Sequence, residues 1–242
     1  AAFAAAGLLP ADLKTRDLRG KVVDGKVVPY DDREQISFEN SLDGRAEAVA
    51  WVADDVELFF VQVQGSCLVR LEDGTLLRVN YADRNGRPYR SIGKLLLDRI
   101  PPERMSLQTL KAYLRENPCD VRRVLAHNPS YVFFRRVEEG PLGNIEVPLT
   151  PGRSVAMDAH LVPRGGIVWL ETELPPEGVE GAKGPVPVRR FGVVQDTGGA
   201  ITGHGRVDLF WGSGEAAERV AGHLKQEGRV FLVVAKREYL HP

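Results

Sequence analysis

The sequence predicts a mainly β protein of the α+β class, divided into two domains. Many short segments of β-forming residues are separated by glycine and proline, which is typical of small barrels rather than of parallel sheets. Most helical patterns lie before residue 130, and the composition changes at the Gly140–Gly143 segment. Because 242 residues are more than most single cores contain, we expect one domain over 1–146 and a second over 147–242.

The first domain is predicted to begin with polar, turn-rich sequence and a short helix over 33–40. The segment Leu58–Gln64 is rich in β-formers and is followed by Gly65, so we predict a strand there. Val69–Leu71 and Leu76–Val79 flank an Asp-Gly pair, and glycine supplies the positive φ that a tight turn requires. These two segments therefore predict a hairpin.

Three short helices and a strand are predicted next. Isoleucine and leucine recur at helical spacing within Arg90–Arg99. Ser106 is a candidate N-cap of a second helix, and Asn117-Pro118 opens a third, because proline suits the first helical turn. The segment Tyr131–Val137 is predicted to return to strand.

The second domain is predicted to consist mostly of short strands around one helix. We expect the helix over Glu215–Gln226, with Ser213 as its N-cap and Gly228 at its exit. We expect strands over Ser154–Met157, Ile167–Leu170, Val188–Gln195, Arg206–Trp211 and Arg229–Lys236. Short strands with irregular turns favour a small β-barrel in this domain.

Charge and composition exclude several partner classes. Hydrophobic residues make up 43% and charged residues 27%, as in ordinary globular proteins, and the net charge is -1. A chain this balanced has no general attraction to nucleic acid or to an anionic membrane. No apolar run approaches the roughly 20 residues that span a bilayer. We therefore expect no strong membrane binding. We also expect a monomer, and we interpret residues 1–6 as a chain boundary rather than a signal sequence.

Metal and cofactor sites are not predicted. Cys67 and Cys119 are too few for a disulfide scaffold or a cysteine-rich zinc site. Free thiols are the simpler interpretation, and a single bridge is the alternative. The five histidines show no metal-ligand spacing, and Gly203-His204-Gly205 leads into a predicted strand rather than the helix that dinucleotide binding requires.

Aspartates after β-forming residues are the most informative feature of the second half. Asp158, Asp196 and Asp208 each follow an apolar segment, where a carboxylate is costly unless it is paired, hydrogen bonded or functional. A turn aspartate that binds backbone amides is the competing interpretation, and Asp196 before Thr197-Gly198 fits it well.

Asp208 fits that interpretation least. In a strand, Val207 and Leu209 share one face, and Asp208 lies on the other face with Arg206 and Phe210. We expect desolvation there to raise the pKa of Asp208, as a general acid requires near neutral pH. Arg206 acts in the opposite direction if its side chain stays beside the carboxylate.

Polar and aromatic side chains of the first domain are of the types that bind sugars. Amides and hydroxyls hydrogen bond to sugar hydroxyls, and aromatic faces stack on pyranose rings. A structural role is the competing interpretation for each candidate. The candidates are Gln62, Gln64, Ser66, Tyr81, Asn85, Tyr89, Asn128 and Tyr131.

Several long motifs resemble the lytic murein transglycosylase A family. In the first half they are the stretches 61–66, 81–93 and 128–134, together with Gln108 and Val147–Thr150. In the second half, Asp158, Gln195–Ile201 and Asp208–Gly212 resemble the three-aspartate domain of that family in the same order. The resemblance runs from about residue 20 to the end of the sequence.

This resemblance implies a double-psi β-barrel and a second, mostly β domain, with a glycan groove between them. The family cleaves the β-1,4 bond between N-acetylmuramic acid and N-acetylglucosamine in peptidoglycan without water, and it leaves a 1,6-anhydro end. By motif position Asp208 corresponds to the single catalytic acid and base, with Asp196 and Asp158 in support. Substrate binding then also involves Gly65, Gly199 and Ala200. The implied partner is a peptidoglycan strand in the periplasm or cell envelope, and no cofactor is implied.

Two departures and two alternatives accompany the resemblance. The family has an upstream Gly-Tyr-Tyr-x-Pro segment that contributes to the barrel and is not in this sequence, so we expect an incomplete barrel. Cys67 replaces a usual glycine, and no lipidation cysteine is present to indicate an anchor. A non-catalytic wall-binding module is one alternative. An aspartic protease is the other, because Asp196-Thr197-Gly198 matches its signature, but that chemistry needs a second such aspartate.

Overall fold

The computed structural model describes residues 19–199 and 201–236, together with residues 3 and 238. The chain divides into two compact units, Ala1–Glu138 and Glu139–Pro242. The predicted domain boundary at residue 146 falls inside the second unit. Both units combine β-sheet with short helices, which confirms the predicted α+β class.

The strands of the first unit form a hairpin and a separate sheet. β1 (Gly20–Val23) pairs with β2 (Lys26–Pro29), and the antiparallel sheet has the order β3 (Ser66–Arg70), β4 (Leu76–Arg84) and β5 (Val132–Arg136). The hairpin predicted at Asp73-Gly74 is confirmed. Its turn has Gly74 at a φ of 84°, and the Asp73 carboxylate accepts the backbone N–H of Thr75 at 2.8 Å.

Short helices supply the core of the first unit. They are α1 (Arg33–Phe38), α2 (Asp55–Gln64), α3 (Ile92–Leu95), α4 (Leu107–Glu116) and α5 (Val121–Ala126), with 3₁₀ turns at Pro102–Arg104 and Pro118–Asp120. The predicted cap at Ser106 is confirmed, since its side chain accepts the backbone N–H of Thr109 at 3.1 Å. Among the described residues no helix is long and apolar enough to cross a membrane. Cys67 and Cys119 are both free.

The strand predicted at Leu58–Gln64 is wrong, because this segment belongs to helix α2. The Asp54 side chain caps the helix by accepting the backbone N–H groups of Val56 and Glu57, and Gly65 ends it at a φ of 81°. Val56, Phe59 and Phe60 are buried at helical spacing in the core of the unit. Capping and this 3–4 residue period outweigh the β preference of the individual side chains.

The second unit is built on a five-stranded sheet. Its order is β10 (Arg229–Val233), β7 (Ile167–Leu174), β8 (Val186–Asp196), β6 (Ser154–Ala156) and β9 (Asp208–Leu209). β6 and β8 are parallel, and the other pairs are antiparallel. The buried core is Val155, Met157, Val168, Leu170 and Val194. Over the described residues this sheet is open, with β10 and β9 at its edges.

Two local expectations for the second unit need correction. Helix α6 (Glu215–His223) has Gly214, not Ser213, at its N-cap, and no side chain caps it. Gly214 has a φ of 88°, a left-handed value that glycine adopts easily. The strand predicted over Arg206–Trp211 is reduced to the two residues of β9. A further 3₁₀ turn lies at Pro176–Gly178.

The cap of α2 gives a direct test of the corrected assignment. We expect Asp54→Ala to lower the free energy of unfolding by about 1 kcal/mol, because two backbone N–H groups lose their acceptor. Asp55→Ala is the control, since Asp55 lies in the first turn and makes no capping bond. Urea unfolding measures both variants, and equal losses in the two would contradict the capping role.

Candidate active site

The three predicted aspartates lie on neighbouring strands or just beyond one of them, around the end of β6. Ala156 pairs with Asp196 of β8 on one side and with Asp208 of β9 on the other. Neighbouring strands lie about 4.8 Å apart, which places the Cα atoms of the two aspartates about 10 Å from each other across Ala156. Asp158 follows two residues after Ala156. The sheet therefore gathers residues that are up to 50 positions apart in sequence.

A bulge in β8 contributes to this arrangement. Val155 pairs with Val194, but Ala156 pairs with Asp196, so the register shifts and Gln195 is the extra residue. Bulges re-aim side chains and are common next to active sites. Here the bulge brings Asp196, rather than Gln195, level with Asp208.

Asp208 is exposed and paired with arginine. Arg206 donates from Nε to Oδ1 at 3.0 Å and from its terminal nitrogen to Oδ2 at 2.8 Å. The Asp208 side chain is 46% exposed, so the burial expected for a neutral acid is absent from the described structure. The expected alternation is confirmed, because Val207 and Leu209 pack against the core. Arg206 lies beside the carboxylate and does not bend away from it.

Asp196 is the partly buried carboxyl of the group. Burial raises its pKa, and a smaller contribution in the same direction comes from Asp208. The backbone N–H groups of Thr197 and Asn144 oppose this shift by bonding to the ionised form. The Asn144 bond to Oδ1 measures 3.1 Å. Desolvation, which was expected at Asp208, therefore acts mainly on Asp196.

Asp158 is a structural anchor in its local geometry. Its carboxylate accepts the backbone N–H of Gly203 at 2.8 Å and that of His160 at 2.9 Å. These two bonds, that of Gly203 being the larger cause, lower the pKa of Asp158. The side chain thus ties the segment that leads into β9 to the end of β6.

Ser154 was not identified from the sequence. It is fully buried, its Oγ accepts the backbone N–H of Thr150 at 2.8 Å, and it donates to Oε1 of Gln195. The bond fixes the side chain of the bulge residue next to Asp196. A hydroxyl at the start of the apolar run Ser154-Val155-Ala156 is the sequence signal that could have indicated it.

In the first unit, Asn85 holds a loop together. Its Nδ2 donates to the carbonyls of Asp31 and Pro129, at 2.9 and 2.8 Å. Its Oδ1 accepts the backbone N–H groups of Tyr131 and Arg87, at 2.9 and 3.2 Å. All hydrogen-bonding positions of this buried amide are therefore used within the protein.

A buried arginine fixes the same loop. Arg33 donates to the carbonyls of Asn128 and Ser130 and to the side chain of Gln62. Its guanidinium lies 4.6 Å from the Phe59 ring centroid and 5.5 Å from that of Tyr131. Burial lowers the pKa of Arg33 to about 10.

The buried amide of Asn128 completes this loop. Its Oδ1 accepts the backbone N–H groups of Arg90 and Ser130, at 3.1 and 3.2 Å. Burial raises the pKa of the neighbouring Tyr131, while Arg33 acts in the opposite direction. The loop over 128–131 is thus bonded from several sides and holds Tyr131 in one place.

The other predicted binding residues of the first unit lie on α2, β3, β4 and the segment before α3. Gln64 ends α2, Gly65 accepts the backbone N–H of Tyr81 at 2.7 Å, and Ser66 begins β3. Tyr81 and Tyr89 are exposed at 38% and 45%.

In the second unit, Gly199 is exposed, and Ala200 lies outside the described residues. In the described part of the chain, no cluster of three or more His, Cys, Asp or Glu side chains could hold a metal ion.

The two units correspond to a three-aspartate domain and a separate α+β domain. Residues 3–135 match the MltA specific insert domain, and residues 153–234 match the 3D domain. The first match alone covers more than half of the chain, so the chain belongs to the MltA family. This confirms the resemblance found in its motifs.

Curated relatives that match this chain are longer than it is. A membrane-bound lytic murein transglycosylase A of Vibrio cholerae is 35% identical over 199 residues, which are 80% of this chain and 53% of the relative. The protein of that name from Escherichia coli K12 is 37% identical over 180 residues, 72% of this chain and 48% of the relative. The chain therefore spans about half the length of these relatives.

Solved structures support the fold. A membrane-bound lytic murein transglycosylase from Agrobacterium tumefaciens has a TM-score of 0.81 at 34% identity, over 94% of this chain and 63% of that chain. Escherichia coli MltA with bound chitohexaose has a TM-score of 0.70 at 30% identity, over 89% of this chain and 63% of that chain.

The raised pKa of Asp196 predicts that replacing this residue increases the stability of the folded protein at neutral pH but not at low pH. The folded protein holds this proton more tightly than the unfolded chain, so wild-type stability falls as pH rises from 3.8 through the raised pKa. Asp196→Asn is neutral throughout. We expect a higher Tm than wild type at pH 7 and an equal one at pH 3, by calorimetry.

The matched control is Glu173→Gln, at an exposed carboxyl on β7. It should leave the Tm unchanged at both pH values. A lower Tm for Asp196→Asn at pH 7 would contradict the dominance of desolvation at this site.

Proposed function

We propose that this chain provides the catalytic machinery of a peptidoglycan lytic transglycosylase, with Asp208 as acid and base. The observation that carries the proposal is the pairing of Ala156 with both Asp196 and Asp208 at the end of β6. By motif position, the same three aspartates correspond to those of the family's three-aspartate domain, and residues 153–234 match the 3D domain. The names and the chitohexaose complex of the relatives support a glycan substrate.

The proposed reaction uses one carboxyl twice. Protonated Asp208 donates its proton to the glycosidic oxygen, and the bond from that oxygen to C1 of N-acetylmuramic acid breaks. The substrate's own 2-acetamido group stabilises the positive charge at C1. The Asp208 carboxylate then takes the proton of the O6 hydroxyl, and O6 bonds to C1. The result is a 1,6-anhydro end, and no water is consumed.

The Arg206 pair defines what substrate binding must change. As described, the Arg206 guanidinium is paired with the Asp208 carboxylate, which is the form that the second half of the reaction uses. The first half needs the protonated form. A glycan that covers the half-exposed carboxyl would desolvate it and favour that form. An ionised Asp196 would act in the same direction.

The supporting residues have separate tasks in this proposal. Asp158 fixes the segment before β9 through Gly203. Asp196, in its ionised form, would place negative charge near Asp208. In the first unit, the exposed rings of Tyr81 and Tyr89 are suited to stacking on sugars. Asn85 and Asn128 support binding indirectly, because their amides shape the loop that carries Tyr131.

The partners and location follow from the same proposal. The substrate is the glycan strand of peptidoglycan, and the protein acts as a monomer in the periplasm or cell envelope. The relatives' names include the word membrane-bound, which supports an envelope location.

Product analysis tests the proposal. Digestion of purified sacculi followed by mass spectrometry should give muropeptides with 1,6-anhydro ends. Asp208→Asn should lower turnover by about 10²–10⁴-fold with an unchanged Tm, because an exposed carboxyl is replaced by an amide of the same shape. Asp196→Asn should reduce turnover less, since Asp196 does not donate the proton.

Glu180→Gln, at an exposed carboxyl of the same unit, is the control and should retain full turnover. Fragments that carry an added water would identify a hydrolase instead. Binding to sacculi without any fragments would favour the wall-binding module.

A further inference from the structure

The segment just before β6 forms a tight turn of defined shape. We call residues 143–147 the 143–147 turn. The backbone N–H of Gly143 donates to the Val147 carbonyl at 3.0 Å, and that of Glu146 donates to the Gly143 carbonyl at 2.9 Å. Glu146 has a φ of 57°, a left-handed value that is unfavourable for a residue other than glycine. The surrounding bonds therefore hold the turn against a local cost.

This turn packs directly on the β8 bulge. Gly143 is buried, and a Cβ atom placed on it would lie 2.2 Å from the Gln195 carbonyl oxygen and 2.8 Å from Cδ2 of Leu149. No side chain fits there without displacing the backbone of β8. Glycine at this position is thus what allows the turn to approach Asp196.

The close packing of the turn on β8 places a backbone N–H donor of the turn next to the Asp196 carboxyl. The backbone N–H of Asn144 meets Oδ1 of Asp196 at 3.1 Å, while the Asn144 side chain is exposed to solvent. The donor belongs to the main chain, so the identity of the side chain at 144 is not what creates the bond. The bond is created by the position of this N–H group, which Gly143 and the turn determine.

We propose that the 143–147 turn is a positioning element of the candidate active site, in which the backbone N–H of Asn144 holds the Asp196 carboxyl and favours its ionised form over the protonated one. Neither Gly143 nor Asn144 is a catalytic residue, because both act through Asp196.

Other described groups also act on the ionisation of Asp196. The Thr197 N–H also favours its ionised form, and Asp208 on β9 opposes it. Arg206 is engaged with Asp208, and Asp158 is bonded to Gly203 and His160.

The consequence for catalysis rests on the proposed function. An ionised Asp196 across Ala156 favours the protonated form of Asp208, which the first half of the reaction requires. The turn would therefore act on the acid through two steps, first by a hydrogen bond and then by charge repulsion. The link from the turn to Asp196 stands on geometry alone.

Two substitutions of Asn144 separate the effect of its backbone N–H group from the effect of its side chain. Asn144 occupies the second position of the turn closed by Glu146 and Gly143, where proline is favoured, so Asn144→Pro removes the donor while suiting the turn. Asn144→Ala keeps the donor and is the control. Titration of the Asp196 carboxyl by carbon-13 NMR should move upward by about one pH unit in Asn144→Pro and stay unchanged in Asn144→Ala.

The wild-type protein gives an independent readout. The amide proton resonance of Asn144 should shift with pH at the midpoint of the Asp196 carboxyl, since the two groups share a hydrogen bond. Gly143→Ala should weaken this coupling, while Gly184→Ala, at a glycine with open space around it, should not. An Asn144 amide that is insensitive to Asp196, or equal titrations of Asp196 in Asn144→Pro and wild type, would overturn the proposal.

The rate and products of sacculus digestion distinguish a failure of this proposal from a failure of the proposed function. Asn144→Pro should lower the rate of sacculus digestion at neutral pH and leave the anhydro product unchanged, with Asn144→Ala at the wild-type rate. A shifted Asp196 titration with an unchanged rate would overturn the link to Asp208 and leave the lytic reaction standing. Loss of anhydro products from the wild type would overturn the proposed function, while the titration result would still decide the role of the turn.

Discussion

The candidate active site depends on the double pairing of one short strand. β6 has only three residues, all of them buried, and it is hydrogen bonded to β8 on one side and β9 on the other. Without β6, Asp196 and Asp208 would belong to unconnected segments. Parallel pairing with β8 and antiparallel pairing with β9 are therefore the constraint from which the geometry of the aspartates follows.

The three carboxyl groups differ because their surroundings differ. Asp158 is bonded by two backbone N–H groups, which favours its charged form. Asp208 is solvent-exposed and paired with a guanidinium. Asp196 combines burial with N–H donors and so carries opposing influences. In the proposed reaction, three copies of one residue type would thus take three roles, an anchor, a proton carrier and a nearby charge, without any difference in side-chain chemistry.

Local chemistry explains which parts of the fold could be predicted from the sequence. The Asp73-Gly74 hairpin and the Ser106 cap depend on neighbouring residues, and both are confirmed. The helix at Asp55–Gln64 carried comparable signals in Asp54 and Gly65, but its aromatic and β-branched side chains suggested a strand. The conflict is settled by burial of one helical face, which the sequence does not display directly.

Tertiary contacts explain what the sequence could not indicate about the site. Alternation placed Asp208 opposite Val207 and Leu209, as the structure confirms. Its exposure depends instead on what lies over that face and on the direction of Arg206, neither of which is encoded locally. The bond from Asn144 to Asp196 joins residues 52 positions apart and uses a backbone group, so no side-chain pattern could indicate it.

A crystal structure of the Asp208→Asn variant with an intact peptidoglycan fragment tests the central claim most directly. The account predicts that the scissile glycosidic oxygen lies about 3 Å from the side chain at position 208, within hydrogen-bond reach, with Arg206 displaced from it. A glycan bound with its scissile bond far from this position, or centred on another carboxyl of the sheet, would contradict it.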